Sequence, residues 1–378
     1  MSYLMCSLSF IKLFKFASPK VFGPMTPEYS MNLTLCTDQK KLTSMVQVSA
    51  LLSQCIAMGL LFVLTFCAPV NAQNTPNTGN SAFCPDKNLQ YWQAFPPGGE
   101  SDLSARHQQL LIKKKCPNIE TIIQYKAGAG GALMWSQMNS LPGDGLNVVG
   151  INFPHIVFQP IEGQVQYKTS DITPVFWFHY TPDILVVPSN SPIKTFADFI
   201  AAAKKDPAQL SVGGSGLNSA NHAAHERLDA SFGIKTIYIP FKGTGDMTTS
   251  LLGSQVDSAM TYTPFAINNK GRVRALAVGM EKRHPLMPDV PTFKELGIST
   301  WVDGAYRGIG VPKSTPADQI KKIASLWSLI NSDPEMKELA AKNGFELINI
   351  GTDQMDAFMK ERIQLYTQGA ALLGLGKK

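Results

Sequence analysis

Four stretches of the chain put glycine and small polar residues just ahead of a segment that reads as a helix. They are Phe95-Pro96-Pro97-Gly98-Gly99-Glu100-Ser101-Asp102, Ala127-Gly128-Ala129-Gly130-Gly131, Gly213-Gly214-Ser215-Gly216-Leu217-Asn218-Ser219 and Lys242-Gly243-Thr244-Gly245-Asp246. Glycine lets backbone N–H groups turn toward a ligand with no side chain in the way. A helix N-terminus adds unpaired donors and a partial positive charge. Each stretch is therefore a candidate cradle for a carboxylate or phosphate. Tight strand-to-helix turns also ask for glycine, so one such loop decides nothing. Four around one cleft point to a shared anion.

Other side chains carry two readings each. Asp102 could accept from a ligand or from its own helix start. Asn152 and His155 follow a strand end and either face the cleft or shape the Asn152-Phe153-Pro154-His155 turn. Arg307 could clamp a carboxylate bidentately or serve structure. His222 is expected near the cleft from a first helical turn, with His225 structural. Those two lie about one turn apart, but no third metal ligand stands at sensible spacing, so no metal is expected. The aromatic series Phe176, Trp177, Phe178 and Tyr180 reads as core and lobe interface.

Catalytic readings find little. No G-x-x-x-x-G-K-[ST] string occurs, and Gly128-Ala129-Gly130-Gly131 lacks the third glycine of a dinucleotide fingerprint. No G-x-S-x-G elbow is present. A small-molecule α/β enzyme stays the rival reading, but no cofactor is expected.

The elements that must hold these loops alternate. Strands are predicted at Leu89–Phe95, Ile119–Tyr125, Leu146–Ile151, Ile184–Val187, Leu210–Gly213, Ile237–Pro240, Val256–Thr261, Val273–Val278 and Tyr306–Val311. Helices are predicted at Ser101–Lys113, Gly131–Ser140, Thr195–Lys205, Ser219–Phe232, Asp246–Leu252, Pro316–Asn331, Pro334–Asn343 and Thr352–Leu373. Short apolar strands alternating with helices predict a mostly parallel sheet covered on both faces. Two such clusters predict two lobes with a cleft: residues 88–187 and 279–378 form one lobe, 188–278 the other. Open α/β sheets bind ligands beyond their strand C-termini.

The N-terminus adds a location. Lys40 and Lys41 precede the apolar run Ile56–Cys67, then Ala68-Pro69-Val70-Asn71-Ala72. A basic region, a short apolar core and small residues before a cut describe a secretory leader. Cleavage is expected after Ala72, with 73–87 a flexible lead-in. The run is shorter than the roughly 20 residues that span a bilayer. Met31 or Met45 would each start a leader of more ordinary length. The formal charge of +6 drops to +3 without residues 1–72, which hold five lysines, one Glu and one Asp. No dense basic stripe remains, so no nucleic-acid partner is expected. Export leaves two of the six cysteines, Cys84 and Cys116. If the strands after them are parallel neighbours, both lie at one sheet end and could be bridged.

Several of these segments, in order, resemble the Bug family, the extracytoplasmic receptors of tripartite tricarboxylate transporters. FPPGGESDLSAR (95–106) is similar to its Pro-Gly-Gly-x-x-Asp-x-x-Ala-Arg signature. YKAGAGGALMWSQMNSLPGDG (125–145), IPFKGTGDMTTSLLGSQVD (239–257), RVRALAVGMEKRHPLMPDVPTFKELG (272–297) and RGIGVPKSTPADQIKKI (307–323) fit as well. The resemblance implies a type II periplasmic-binding-protein fold of class α/β, two doubly wound lobes closing on a small carboxylate. It implies a periplasmic, monomeric receptor that hands its ligand to membrane permease subunits. A sensory receptor of the same fold, docking on a signalling protein, is the alternative. Carried over by position, the ligand-binding set is Pro97, Gly98, Gly99, Asp102, Asn152, His155, Ser215, Gly216, Ser219, His222, Lys242 and Gly243. Thr261 and Arg307 join it. Two departures stand out. Ala127 replaces a proline, and Thr261-Tyr262-Thr263-Pro264 stands where the family often has Asp before Asn-x-Pro. Loss of that carboxylate bears on which ligand groups are preferred, a free amine among them.

Overall fold

A computed structural model describes residues 83–375 apart from 302 and 373. The leader expected at 1–72 and the lead-in up to 82 lie outside the described residues. The chain begins with β1 (Leu89–Gln93), α1 (Glu100–Lys115), β2 (Thr121–Tyr125), α2 (Ala132–Trp135) and β3 (Asn147–Phe153). Next come α3 (His155–Glu162), β4 (Thr173–Pro188), α4 (Phe196–Lys205), β5 (Ser211–Gly214), α5 (Ala220–Phe232) and β6 (Ile237–Pro240). It continues through α6 (Thr244–Leu252), β7 (Ser258–Tyr262), α7 (Thr263–Asn268), β8 (Val273–Val278) and β9 (Gly304–Val311). It closes with α8 (Ala317–Asn331), α9 (Pro334–Asn343), β10 (Glu346–Ile350) and α10 (Met355–Leu372).

The strands divide into two pairing groups that share β4. The first runs β2-β1-β3-β9-β4 with β10 also on β4; the second runs β4-β7-β5-β6 with β8 on β4. Residues Thr173–Pro182 pair with β9, whereas Asp183–Val186 pair with β7 and Ile184–Pro188 with β8. The strand therefore leaves one lobe and enters the other at Pro182–Asp183, and β9 makes the return. This corrects the expected mostly parallel sheet. Parallel pairing holds only within β1, β2, β3 and within β5, β6, β7. The crossing strands meet their neighbours antiparallel. A chain that crosses and comes back must run against the local strand direction. Burial on both faces hid that from the sequence, because β3 is buried at all seven positions in the mixed sheet too.

Local chemistry explains where elements start and stop. α1 has Glu100 and Asp102 in its first turn and Lys113, Lys114 and Lys115 in its last, matching the helix dipole at both ends. Thr195 and Asp198 form a capping box on α4. Ser219 caps α5, which ends at Gly233 in the left-handed region. The helix expected over 131–140 is broken: α2 spans only Ala132–Trp135, and Met138–Ser140 is a separate 3-10 turn. α3, α7 and β10 were not expected. α3 begins directly after Pro154, which reads as part of a turn, and carries Pro160 inside it, against the rule for helix interiors. Pro160 sits inside the helix without an N–H, and the Ile156 carbonyl it cannot serve accepts instead from Thr169 Oγ1 at 2.8 Å.

Apolar side chains fill both faces of the first sheet, with Trp135, Phe153 and Trp177 on one side and Tyr91 and Trp327 on the other. Phe176, Trp177 and Phe178 are buried, as expected of core. β1 and β2 are parallel neighbours, and Cys84 and Cys116 are bridged, with Cα atoms 5.6 Å apart. The bridge spans a sequence separation of 32. Chain-entropy arguments give such a loop about 3–4 kcal/mol. Replacing both cysteines by serine should lower the unfolding free energy by about that amount, read as a lower urea midpoint by far-UV circular dichroism. An unchanged midpoint would show that the bridge constrains little.

Candidate ligand-binding cleft

The glycine loops of the two lobes meet face to face. Gly245, in the first turn of α6, approaches the loop before α1 so closely that a Cβ there would lie 2.3 Å from the Pro97 carbonyl oxygen. Gly216 has φ +82°, and a Cβ on it would stand 2.9 Å from Gly130 Cα. Both positions need glycine, one for space and the other for space and conformation. Gln159 Nε2 of α3 adds a hydrogen bond to the Leu217 carbonyl at 2.8 Å. The first loop thus meets the fourth, and the second meets the third.

Between these contacts sits a buried charge pair. Arg307 lies on β9, in register with Asn152 of β3 and His179 of β4. Its Nε donates to Ser101 Oγ at 3.3 Å and its Nη1 to Thr181 Oγ1. The guanidinium carbon is 4.8 Å from the Tyr262 ring centre, a cation–π contact. Its Nη2 stands 3.9 Å from Glu100 Oε2, an ion pair beyond hydrogen-bond reach. Glu100 opens α1 and reaches across to the other lobe. Its Oε2 accepts from Thr244 Oγ1 at 2.5 Å, and its Oε1 lies 3.4 Å from Thr261 Oγ1. Burial lowers the Arg307 pKa, and the Glu100 charge pulls it back up. Breaking a buried pair by removing one partner costs about 3–5 kcal/mol, because the other charge is stranded.

A cavity of about 10 Å³ lies among Gly99, Glu100, Asn152, Ser215, Thr244 and Arg307, with Phe95, Pro96, Ser101, His155 and Tyr262 completing its wall. That is the scale of one water-sized group. His155 is wedged against Phe95 and Trp135 at ring-centre distances of 5.5 and 6.3 Å. Burial, then the Arg307 charge, pushes its pKa down to about 3, so the ring is neutral near pH 7. Its Nδ1 and the Tyr262 hydroxyl are buried and lack a hydrogen-bond partner among the described residues. His155 and Tyr262 both belong to the cavity wall.

Of the residues singled out in the sequence, Gly99, Asn152, His155, Ser215 and Arg307 line this cavity. Thr261 touches it through Glu100. The rest are engaged around it. Asp102 accepts from Gly98 N–H at 2.9 Å, from Arg106 and from Tyr125 Oη at 2.6 Å, so it fixes the start of α1. Pro97 and Gly98 are exposed and form the loop's outer edge. Gly216 and Gly243 make close contacts between loops, the latter against Pro96. Ser219 accepts from His222 N–H as the α5 cap. His222 accepts from Asn218 N–H at 3.2 Å and lies 3.5 Å from Glu226. Burial lowers its pKa, with Glu226 opposing. Lys242 is exposed. Glu100, Ser101, Thr244 and Tyr262 were not singled out as ligand residues. The first three lie inside the glycine loops, where the anion-cradle reading rests on backbone donors. An acid directly after Gly-Gly in an anion cradle was the signal available.

Comparison with known proteins agrees with this architecture. Residues 105–370 match the model of the family described as "Tripartite tricarboxylate transporter family receptor". The UPF0065 protein in the gbd 5' region of Cupriavidus necator is 28% identical over 305 residues, covering 78% of this chain and 89% of that one. Protein BugT of Bordetella pertussis is 27% identical over 314 residues, covering 80% and 92%. Among solved structures, the periplasmic binding protein BugD has a TM-score of 0.73 at 23% identity, covering 77% of this chain and 99% of that one. A protein of R. palustris solved with adipate has a TM-score of 0.71 at 22% identity, covering 77% and 98%. The fold is that of the periplasmic binding proteins. With its match spanning more than half the sequence, the chain belongs to the tripartite tricarboxylate transporter receptor family.

Proposed function

We propose that this protein is a periplasmic solute-binding receptor that captures a small carboxylate between its lobes and delivers it to membrane permease subunits. The observation that carries this reading is Arg307, only 3% exposed, lining a cavity between the lobes. A buried guanidinium is an expensive feature to maintain. It is well suited to a carboxylate, which it can grip with parallel N–H donors. The R. palustris relative's adipate supports the ligand class. Family membership and the leader-like N-terminus support the periplasmic setting.

The mechanism needs binding energy and no bond making. A ligand that touches Arg307 on one lobe and Ser215 or Thr244 on the other favours the closed arrangement by its differential contacts. The two loop-to-loop seams close with it. A permease can then distinguish the closed surface from the open one.

A thermal-shift screen over mono-, di- and tricarboxylates should find at least one acid that stabilises the protein. At a hundredfold excess over Kd the gain is about 2.7 kcal/mol, a rise of several degrees. No shift with any acid, together with a shift from a sugar, would refute the carboxylate reading. For the acid found, Arg307→Gln should weaken binding about a hundredfold by calorimetry, with the circular dichroism spectrum preserved. Gly245→Ala should weaken it about tenfold without unfolding either lobe, since its methyl group holds the first and fourth loops apart. Unchanged affinity in both variants would place the ligand elsewhere.

A further inference from the structure

The cleft is held shut by the protein's own side chains, with space inside for little else. The cavity among Glu100, Thr244 and Arg307 is about 10 Å³, the scale of one water. Even the smallest organic acid is larger than that. Side-chain contacts nevertheless join the lobes across it. Thr244 Oγ1 of α6 donates to Glu100 Oε2 of α1 at 2.5 Å, and Thr261 Oγ1 of β7 lies 3.4 Å from Glu100 Oε1. One carboxylate from the first lobe thus faces two hydroxyls of the second.

The surrounding backbone is shaped to let that contact form. Glu100 is 5% exposed and Thr244 6%, so the carboxylate and its donor meet out of water. A Cβ on Gly99 would stand 2.7 Å from Thr244 Oγ1, in the path the hydroxyl takes to Glu100. The neighbouring Gly245 clears the way for the Pro97 carbonyl in the same manner. Within its own lobe Glu100 has a weaker alternative: Arg307 Nη2, at 3.9 Å, is beyond hydrogen-bond reach. A hydrogen bond to a carboxylate is roughly twice as strong as one between neutral groups. Closure therefore satisfies Glu100 without any ligand having to contribute.

We infer that Glu100 is an internal latch: it bridges to Thr244 and holds the lobes closed in place of a ligand, and an entering ligand must displace it. Glu100 thereby sets affinity from within, since only the unlatched fraction of molecules can accept a ligand. The displacement step rests on the receptor reading above, whereas the latch belongs to the ligand-free chain and is testable without it.

The test is small-angle X-ray scattering on the wild-type protein, Glu100→Ala and Thr244→Val, each dialysed from urea and refolded so that no acid from the host remains. Thr244→Val keeps both charges, so its behaviour reports the latch and not the loss of a carboxylate. Both ligand-free variants should have a larger radius of gyration than ligand-free wild type. Adding the acid found by thermal shift should leave the wild-type radius unchanged and contract Glu100→Ala to the same value. By calorimetry Glu100→Ala should bind that acid about tenfold tighter than wild type. A wild-type protein that contracts when acid is added overturns the inference, and so do folded variants whose ligand-free radius equals that of wild type. If neither variant folds, the wild-type comparison decides. Expanded variants that no acid contracts would overturn the carboxylate reading and leave the latch standing.

Discussion

A guanidinium and a carboxylate taken out of water together must be compensated on every side, or they cost more than they return. Much of the cleft serves that requirement. Ser101 and Thr181 occupy two sides of Arg307, and the Tyr262 ring covers its face. Thr244 and Thr261 reach Glu100 from the opposite lobe. The compensation is divided between lobes. Opening the cleft would separate Glu100 from Thr244 and Arg307 from Tyr262, and water would have to replace what is lost. On the proposed reading, the charge pair links lobe closure to the state of the ligand site.

That link needs two halves that can move without unfolding. β4 supplies the connection: one unbroken strand pairs with β9 up to Pro182 and with β7 from Asp183. The backbone ladder continues through the crossing, so a small rotation there costs few hydrogen bonds. Glycine at the loop seams lets the backbones of the two lobes come within contact distance. Side chains at Gly216 or Gly245 would stop the approach early and leave the Glu100–Thr244 contact unmade.

Much of this was legible in the sequence, for reasons that are physical. The short apolar segments expected at Ile237–Pro240 and Val273–Val278 are β6 and β8 to the residue, and the helices expected from Thr195 and Ser219 are α4 and α5, capped by those two residues. The parallel neighbours β1 and β2 put Cys84 and Cys116 together. The antiparallel crossings were not legible, because a strand buried on both faces reads alike in either direction. α3 was lost to Pro154 and Pro160, whose cost is met by Thr169, a partner thirteen residues from Ile156. The site divided in the same way. Arg307 and His155 announced themselves by residue type. Glu100 fell on an unspecified position of the signature, and its meaning depends on Thr244 and Thr261, 144 and 161 residues away. The approach of Glu100 to Thr261 runs across the cleft, which no local pattern could reveal.

The account places one carboxylate against one arginine between two lobes, and a crystal structure of the protein with the acid that stabilises it most tests this directly. The predicted result has a ligand oxygen within hydrogen-bond distance of Arg307 and further ligand contacts to Ser215 or Thr244. A ligand seated instead in the surface groove of Lys321, Ser325, Asn349 and Asp353, with the Arg307 surroundings unchanged, would contradict it.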